Sequence, residues 1–335
     1  MGFGPVLLVV TNKQDPHSDE VIRRLGKRGV PVFRLNTEDV LAKYEISLRI
    51  DEMGNWDGCI TDELSRTVRL SDLRVAWIRR PEFLFENFND GVQKFIVYEV
   101  RSLIACLYAL PSITFINEVF DSDRAKTKFQ QLVHASKLGI RVPRTIITNS
   151  PSDAKKFVDK AEGDLLIKVV YTGNVERNGI VHGLPAKKVS RNQFLELCEL
   201  VKNAPTQIQD YVEKEYELRV TVIGRKVFAV KIDSQLNEAT KIDWRPHTAL
   251  NPHSIVDVPD VVSEFCRTYI QEQRLLYGAM DFIVDSAGRY VFLENNPSGQ
   301  YLWLEHETGV PITEALIELF LERMAMPIAG RDVAQ

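Results

Sequence analysis

Met280-Asp281-Phe282-Ile283-Val284-Asp285, then Ser286-Ala287-Gly288, then Arg289-Tyr290-Val291-Phe292-Leu293-Glu294-Asn295-Asn296-Pro297, is the stretch on which the fold turns. Two apolar-rich runs joined by a short glycine-bearing turn predict a β-hairpin. With the turn centred on Ala287–Gly288, Asp281 lies opposite Glu294 or one residue from it. Glu294 and Asn296 are two apart on one strand and point to the same face. The hairpin then gathers three oxygen donors, Asp281, Glu294 and Asn296, on one patch of sheet. Oxygen-only donors suit Mg²⁺, which takes a carboxylate or two plus substrate phosphates. A solvated hairpin whose acids face water is the other reading, and spacing alone leaves both open.

Working outward, a second hairpin is expected from Tyr216 to Ile223, a turn at Gly224-Arg225, and a return from Val227 to Asp233. Glu217, Arg219 and Thr221 share one face of the outgoing strand, and Leu218, Val220 and Val222 the other. A three-residue loop sets Lys231 directly across from Arg219, where two cations would clamp a phosphate or carboxylate. A two-residue loop offsets them, and a solvent-facing strand carrying a Glu–Arg pair is the plainer reading. Earlier, Leu165-Leu166-Ile167-Lys168-Val169-Val170 is a strand with one lysine in an apolar run. Such a lysine either snorkels to solvent or aims at an anion. Lys128, on a helix expected from Asp123 to Leu138, offers a second charge of the same kind. Gln207-Ile208-Gln209-Asp210-Tyr211-Val212 reads as a strand whose end could serve as a hinge for an adenine edge.

At the N-terminus, Pro5 to Val10 is an apolar strand, Val21, Ile22 and Leu25 mark a helix ended by Gly29, and Val30 to Leu35 is a second strand. This order opens an α/β unit. The intervening loop lacks GxGxxG, which weakens a dinucleotide-binding reading, and no GxxxxGK[ST] is present. Alternating strands at Ile46–Ile50 and Thr67–Leu70 suggest a β-rich insertion, and Val92–Leu110 an apolar helix set internally against the sheet.

The chain has 335 residues, 44% hydrophobic and 26% charged, with a net charge of −4. That length suits two or three domains. The balance excludes wholesale disorder and argues against nucleic acid or a membrane as partner, since both need a basic face. No run approaches the ~18 apolar residues of a membrane helix. Cys59, Cys106, Cys198 and Cys266 are scattered with no CxxC, and read as buried small hydrophobes in a reducing cytoplasm.

Taken in order, the helix lysine, the strand lysine, the Gly-bearing segment from Thr172 to Gly183, the Gln-Asp-Tyr-Val hinge, the Glu-Leu-Arg strand and the Asp…Glu-x-Asn hairpin resemble the ATP-grasp fold. Trp77-Ile78-Arg79-Arg80-Pro81, Leu138 to Thr145, Tyr216-Glu217-Leu218-Arg219, Asp243-Trp244-Arg245 and Asn295 to Leu304 are similar, more closely, to graspetide (microviridin-type) macrocyclases. The resemblance implies an α/β fold, α+β in the ATP-grasp halves. Its parts are an N-terminal pre-ATP-grasp domain over 1–122, a central subdomain over 123–206, a C-terminal subdomain over 207–328 and a tail over 329–335. It implies ATP held by Lys128, Lys168, Gln209, Tyr211 and Val212, with Glu215 or Glu217 near the ribose. Mg²⁺ falls on Asp281, Glu294 and Asn296. Arg219 and Arg245 face the acceptor carboxylate and γ-phosphate, with Lys231 as a further cation. The implied reaction activates Asp or Glu side chains of a ribosomal precursor peptide, leader plus core, and closes an ester on Ser/Thr or an amide on Lys. The region Thr172–Leu200 is expected to hold the leader, and a homodimer is the expected assembly. A RimK-like ligase adding amino acids to a protein or peptide, and a non-catalytic peptide-binding homologue, are the alternatives.

Overall fold

The computed structural model describes residues 4–83, 90–171, 174–177, 180–245 and 251–326; the expected tail lies outside the described residues. β1 (Val6–Thr11) is buried at every position because sheet flanks it on both sides and helices cover both faces. Asp15 caps α1 (Pro16–Lys27), accepting from the His17 amide, with Pro16 at the first helical position. β2 (Val32–Asn36), the short α2 (Val40–Lys43) and an antiparallel sheet of β3 (Tyr44–Ile50), β4 (Trp56–Asp62) and β5 (Thr67–Arg69) follow. β4 escapes the alternation pattern because Gly58 interrupts it; a Cβ there would meet Ser47 O at 2.2 Å. β6 (Leu73–Ile78), α3 (Gly91–Tyr108) and β7 (Thr114–Ile116) complete a parallel sheet ordered β2-β1-β6-β7.

Two expectations are corrected here. α3 is not internal: Val97, Ile104 and Leu107 are buried, whereas Phe95 and Tyr98 are 63% and 59% exposed. An apolar composition does not tell how much of a helix's circumference is covered. The four cysteines are free, but only Cys266 is buried, and Cys106 is exposed.

The helix expected from Asp123 to Leu138 is two, α4 (Val119–Ala125) and α5 (Lys128–Lys137), because Thr127 adopts an extended backbone between them. β8 (Thr145–Thr148), α6 (Pro151–Asp159), β9 (Leu165–Val169), the hairpin of β10 (Asn174–Arg177) and β11 (Ile180–Gly183), β12 (Lys187–Val189), α7 (Arg191–Leu197) and β13 (Thr206–Asp210) form the central part. Its antiparallel sheet runs β12-β9-β13-β8, so the sheet extends to Asp210 rather than stopping at residue 206. Ile146, Ile167 and Ile208 pack on α6 and α7. Strand alternation therefore sends Leu166, Lys168, Gln207 and Gln209 to the opposite face.

The C-terminal part contains β14 (Tyr216–Ile223), β15 (Lys226–Ile232), β16 (His253–Ile255), α8 (Asp260–Glu272), β17 (Tyr277–Val284), β18 (Tyr290–Asn296), α9 (Leu302–Thr308) and α10 (Ile312–Ala325). Its sheet is ordered β16-β15-β14-β17-β18. α5 and α8 cover one face through Leu132, Phe265 and Tyr269. On the other side, Leu316 and Phe320 of α10 join Ile223 and Tyr277 to Leu7, Val9 and Trp77 of the N-terminal sheet in one continuous core. The ion pairs Arg24–Glu305 and Arg28–Glu314 flank that contact.

The segment after β18 is held by side chains from both parts. His17 Nε2 accepts from the Tyr301 and Leu302 amides at 3.1 and 3.2 Å, which fixes the start of α9. A nitrogen that accepts carries no proton, so the imidazole is neutral and its Nδ1, 3.3 Å from Asp15 Oδ1, bears the hydrogen. Burial pulls the His17 pKa below its ordinary value, with Asp15 opposing. This contribution to stability is present above the unfolded value of about 6.5 and is lost as pH falls through the lower folded value. The urea midpoint is expected to fall as pH drops from 7 toward 5, and His17→Gln to flatten that part of the profile. An equal slope in the variant would refute the assignment.

Candidate active site

β17 and β18 settle the hairpin register: Asp281 pairs directly with Glu294, and Ala279 with Asn296. The next pair is Phe282 with Phe292, so Leu293 is a bulged extra residue. The bulge explains why consecutive residues Leu293 and Glu294 both line the cavity between the C-terminal and central sheets. Across β14, Arg219 pairs with Asp281, and its guanidinium grips that carboxylate at 2.6 and 3.2 Å. Both side chains are buried. Arg245 is held by Asp243 through two 2.8 Å bonds and reaches Glu294 Oε1 at 3.0 Å. The four residues form a row in which the two carboxylates stand side by side and each has its own arginine on the outer side.

Lys168, on the cavity-facing side of β9, lines the same space beside Glu294. Lys128, at the first turn of α5, donates to Val169 O at 3.0 Å and lines the wider end with Asn296. Burial would raise the Glu294 carboxyl, but Arg245, Lys168 and Lys128 outweigh it and hold the group below the usual range. Burial depresses the Lys168 ammonium, with Glu294 working against it. Burial pushes Asp281 upward against the pull of Arg219.

The narrow end is lined by Gln209, Tyr211 and Val212. Gln209 Nε2 donates to Thr145 Oγ1 at 2.8 Å, while its Oε1 is buried without a protein partner. Lys188 sits 3.7 Å from the centre of the Tyr211 ring. Of the two glutamates considered, Glu217 lines the cavity and Glu215 is exposed elsewhere. Glu217 is buried and accepts from Lys214 Nζ at 2.6 Å and Ser234 Oγ at 2.9 Å.

Lys231 is a correction. The β14–β15 loop has two residues, Gly224 and Arg225, so Lys231 pairs with Leu218 and Arg219 with Val230. Lys231 thus points away from Arg219 and bonds Asp233 at 2.7 Å. Part of the Thr172–Gly183 segment, namely Thr172, Gly173, Asn178 and Gly179, lies outside the described residues; Gly183 borders the cavity.

Sequence reading assigned no role to Lys214, Asp243 or Gln131. Lys214 stands three before Glu217, and Asp243 was visible in the Asp-Trp-Arg run. Gln131 left no local signal: buried on α5, it donates to Asn295 O at 2.7 Å and accepts from Asn295 N at 3.0 Å, fixing β18 against the helix.

Asp281 and Glu294, side by side, with the Asn296 amide oxygen two residues on, make a hard oxygen set that fits a divalent cation. Glu294 gives only Oε1 to Arg245, which leaves donor capacity on the cavity side.

The family model for the RimK-like ATP-grasp domain matches residues 123–320. Among solved structures, a RiPP-associated ATP-grasp ligase of Chryseobacterium gregarium, in complex with ADP and a leader and core peptide, superposes with a TM-score of 0.84. It is 27% identical, over 97% of this chain and 98% of that one. The macrocyclase MdnC of Microcystis aeruginosa, bound with precursor peptide MdnA, has a TM-score of 0.83 at 24% identity, covering 95% and 99%. A probable alpha-L-glutamate ligase of Legionella pneumophila is 24% identical over 219 residues, 64% of this chain and 69% of that protein.

The Arg219–Asp281 pair makes a stability prediction. Arg219→Met leaves a buried carboxylate unpaired and is expected to cost about 3–5 kcal/mol in chemical denaturation. The double variant Arg219→Met/Asp281→Leu should recover much of it. A double variant as unstable as the single one would show that the pair is not what sets the cost.

Proposed function

The chain belongs to the RimK-like ATP-grasp family, and from that membership we propose that it is an ATP-dependent macrocyclase of a ribosomal precursor peptide. The observation that carries the reading is the Arg219–Asp281 and Arg245–Glu294 row beside Lys128 and Lys168, in one cavity between two antiparallel sheets. A carboxylate is a poor electrophile because its charge repels nucleophiles and its leaving group would be oxide. In the proposed reaction an Asp or Glu side-chain oxygen of the peptide attacks the γ-phosphorus of ATP, and ADP leaves. A Ser/Thr hydroxyl or Lys amine of the same peptide then attacks the acyl carbon, phosphate leaves, and an ester or amide ring closes.

Such phosphoryl transfer asks a protein for positioning and charge rather than covalent participation. Gln209, Tyr211 and Val212 would seat the adenine, and Glu217 the ribose. Lys128 and Lys168 would hold the phosphates, while Arg219 and Arg245 bring fixed charge to where γ-phosphate and acceptor carboxylate meet. Asp281, Glu294 and Asn296 would hold Mg²⁺, which supplies charge neutralisation for the triphosphate. Leu184, Leu197 and Leu200, all exposed, give the Thr172–Leu200 region apolar surface on which a leader peptide could dock.

The glutamate-ligase relative favours a second reading, in which a free amino acid is added to a peptide or protein. The superposition on the C. gregarium ligase, which binds a leader and core peptide, covers 97% of this chain and so extends into the N-terminal part that the family match does not reach, and this supports the peptide macrocyclase.

Incubating a candidate precursor with the protein, ATP and Mg²⁺ should give a peptide lighter by one water per ring in mass spectrometry. A mass gain would replace this reading with ligation. Asp281→Asn together with Glu294→Gln should lower turnover by on the order of 10²–10³, the scale for losing a charge-stabilising group. Undiminished ATP hydrolysis in that variant would overturn the metal assignment.

A further inference from the structure

In an open parallel sheet the crevice outside the carboxyl ends of the strands is where ligands bind. In this chain the crevice of the N-terminal sheet receives the chain's own segment from Pro297 to Leu302. The residues that meet it stand at or just beyond three strand ends: Asp15 and His17 after β1, Arg79 after β6, and Asn117 after β7. Asn117 Nδ2 donates to Pro297 O at 2.8 Å, Arg79 Nη1 donates to Ser298 O, and Tyr277 Oη donates to Gly299 O at 2.7 Å. Arg219 Nη1 lies 3.4 Å from Gln300 O. Four consecutive carbonyls thus each meet a side-chain donor.

Arg79 differs from the other donors. It is 3% exposed and charged, yet its bonded partner is a neutral carbonyl. Asp15 stands 3.9 Å from its Nε, and Nε and Nη2 have no hydrogen-bond partner in the protein. Burying a guanidinium for one backbone bond is costly, so a purely structural tie would be served as well by a neutral amide such as Asn117. What Arg79 gains is a hold on residue 298. The Ser298 amide donates to Asn296 Oδ1 at 3.0 Å, so the residue anchored by Arg79 also sets the Asn296 side chain.

We propose that Arg79, backed by Asp15, is a positioning residue that orients the Asn296 amide oxygen toward the cation site through Ser298. The proposal rests on the reading of Asn296 as a Mg²⁺ ligand. In this role Arg79 acts through Ser298, its hydrogen-bonded partner, and not through a direct contact with the cation. It gives the early Arg-Arg-Pro run a function apart from substrate contact.

The test is calorimetric binding of ADP to the full chain, with Mg²⁺ and with EDTA. Wild type should bind ADP more tightly with Mg²⁺. Arg79→Met should match wild type in EDTA within about twofold, because the adenosine end of the cavity is untouched. The Mg²⁺-dependent gain should shrink by about 10–100-fold, the usual scale for losing a partner that orients a ligand. Arg79→Lys, with one donor within reach of Ser298 O, should recover part of it, and serves as the test variant if Arg79→Met does not fold. A Mg²⁺-dependent gain retained in these variants overturns the positioning role alone. Equal losses with and without Mg²⁺ would mark Arg79 as a structural tie and overturn it too. A wild-type protein with no such gain overturns the metal reading, and this proposal with it.

Discussion

Two carboxylates placed directly opposite each other in a β-sheet repel, and where protein replaces part of the water the repulsion is less screened than in bulk solvent. Asp281 and Glu294 stand in that relation, and much of the chain's organisation answers it. Arg219 comes from the adjacent strand of the same sheet, Arg245 from the connection after β15, Lys168 from the central sheet and Lys128 from α5. No single element could supply all four cations, because strand alternation sends only every second residue to the cavity. The central and C-terminal sheets must therefore face each other across the charged row. The cavity is a consequence of balancing that pair.

The same constraint explains how the charge is distributed. A net charge of −4 in 335 residues looks bland, yet opposite charges are sorted locally within the cleft. Arg245, Lys168, Lys128 and Arg219 together hold the Glu294 carboxyl below its usual range against the desolvation that would raise it. A bound triphosphate would compete for those cations, and a divalent ion would take over the carboxylates they leave. The row of ion pairs is then a resting arrangement in which each group already has the kind of partner it needs later, so few charges need be stranded in low dielectric when ligands enter.

What could be read from sequence was whatever depends on neighbours in the chain. The β17–β18 hairpin announces itself through alternation and a glycine-bearing turn, and its facing acids follow within one residue. The one-residue ambiguity is closed by the bulge at Leu293, which packing of Phe282 and Phe292 in the core imposes and no local pattern records. The Lys231 error has the same origin: Gly224-Arg225 fits either loop length, and the apolar face of β14 decides which is used. Gln131, Asn117 and His17 act across about 160 to 285 positions. Each is an unremarked polar residue in its own segment, so only the assembled fold gives it meaning. The ATP-grasp order was legible because six weak signals fell in sequence.

The absence of a glycine-rich turn after β1 also becomes intelligible. Where a helix N-terminus binds phosphate, the strand-to-helix turn must be empty and its amides unpaired. Here the turn after β1 is committed: Asp15 caps α1 and supports Arg79, and His17 receives the start of α9. The crevice is filled by Pro297–Leu302, and α10 seals the sheet beneath it. The cations that remain open to a ligand lie instead between the other two sheets, where Lys168 on β9 and Lys128 on α5 face the acidic hairpin. The N-terminal part thereby becomes a scaffold, gripping the loop that follows the acidic hairpin and so setting the hairpin's angle to the charged cavity. That division accounts for a family match confined to residues 123–320 in a chain whose superposition on a peptide ligase runs nearly end to end.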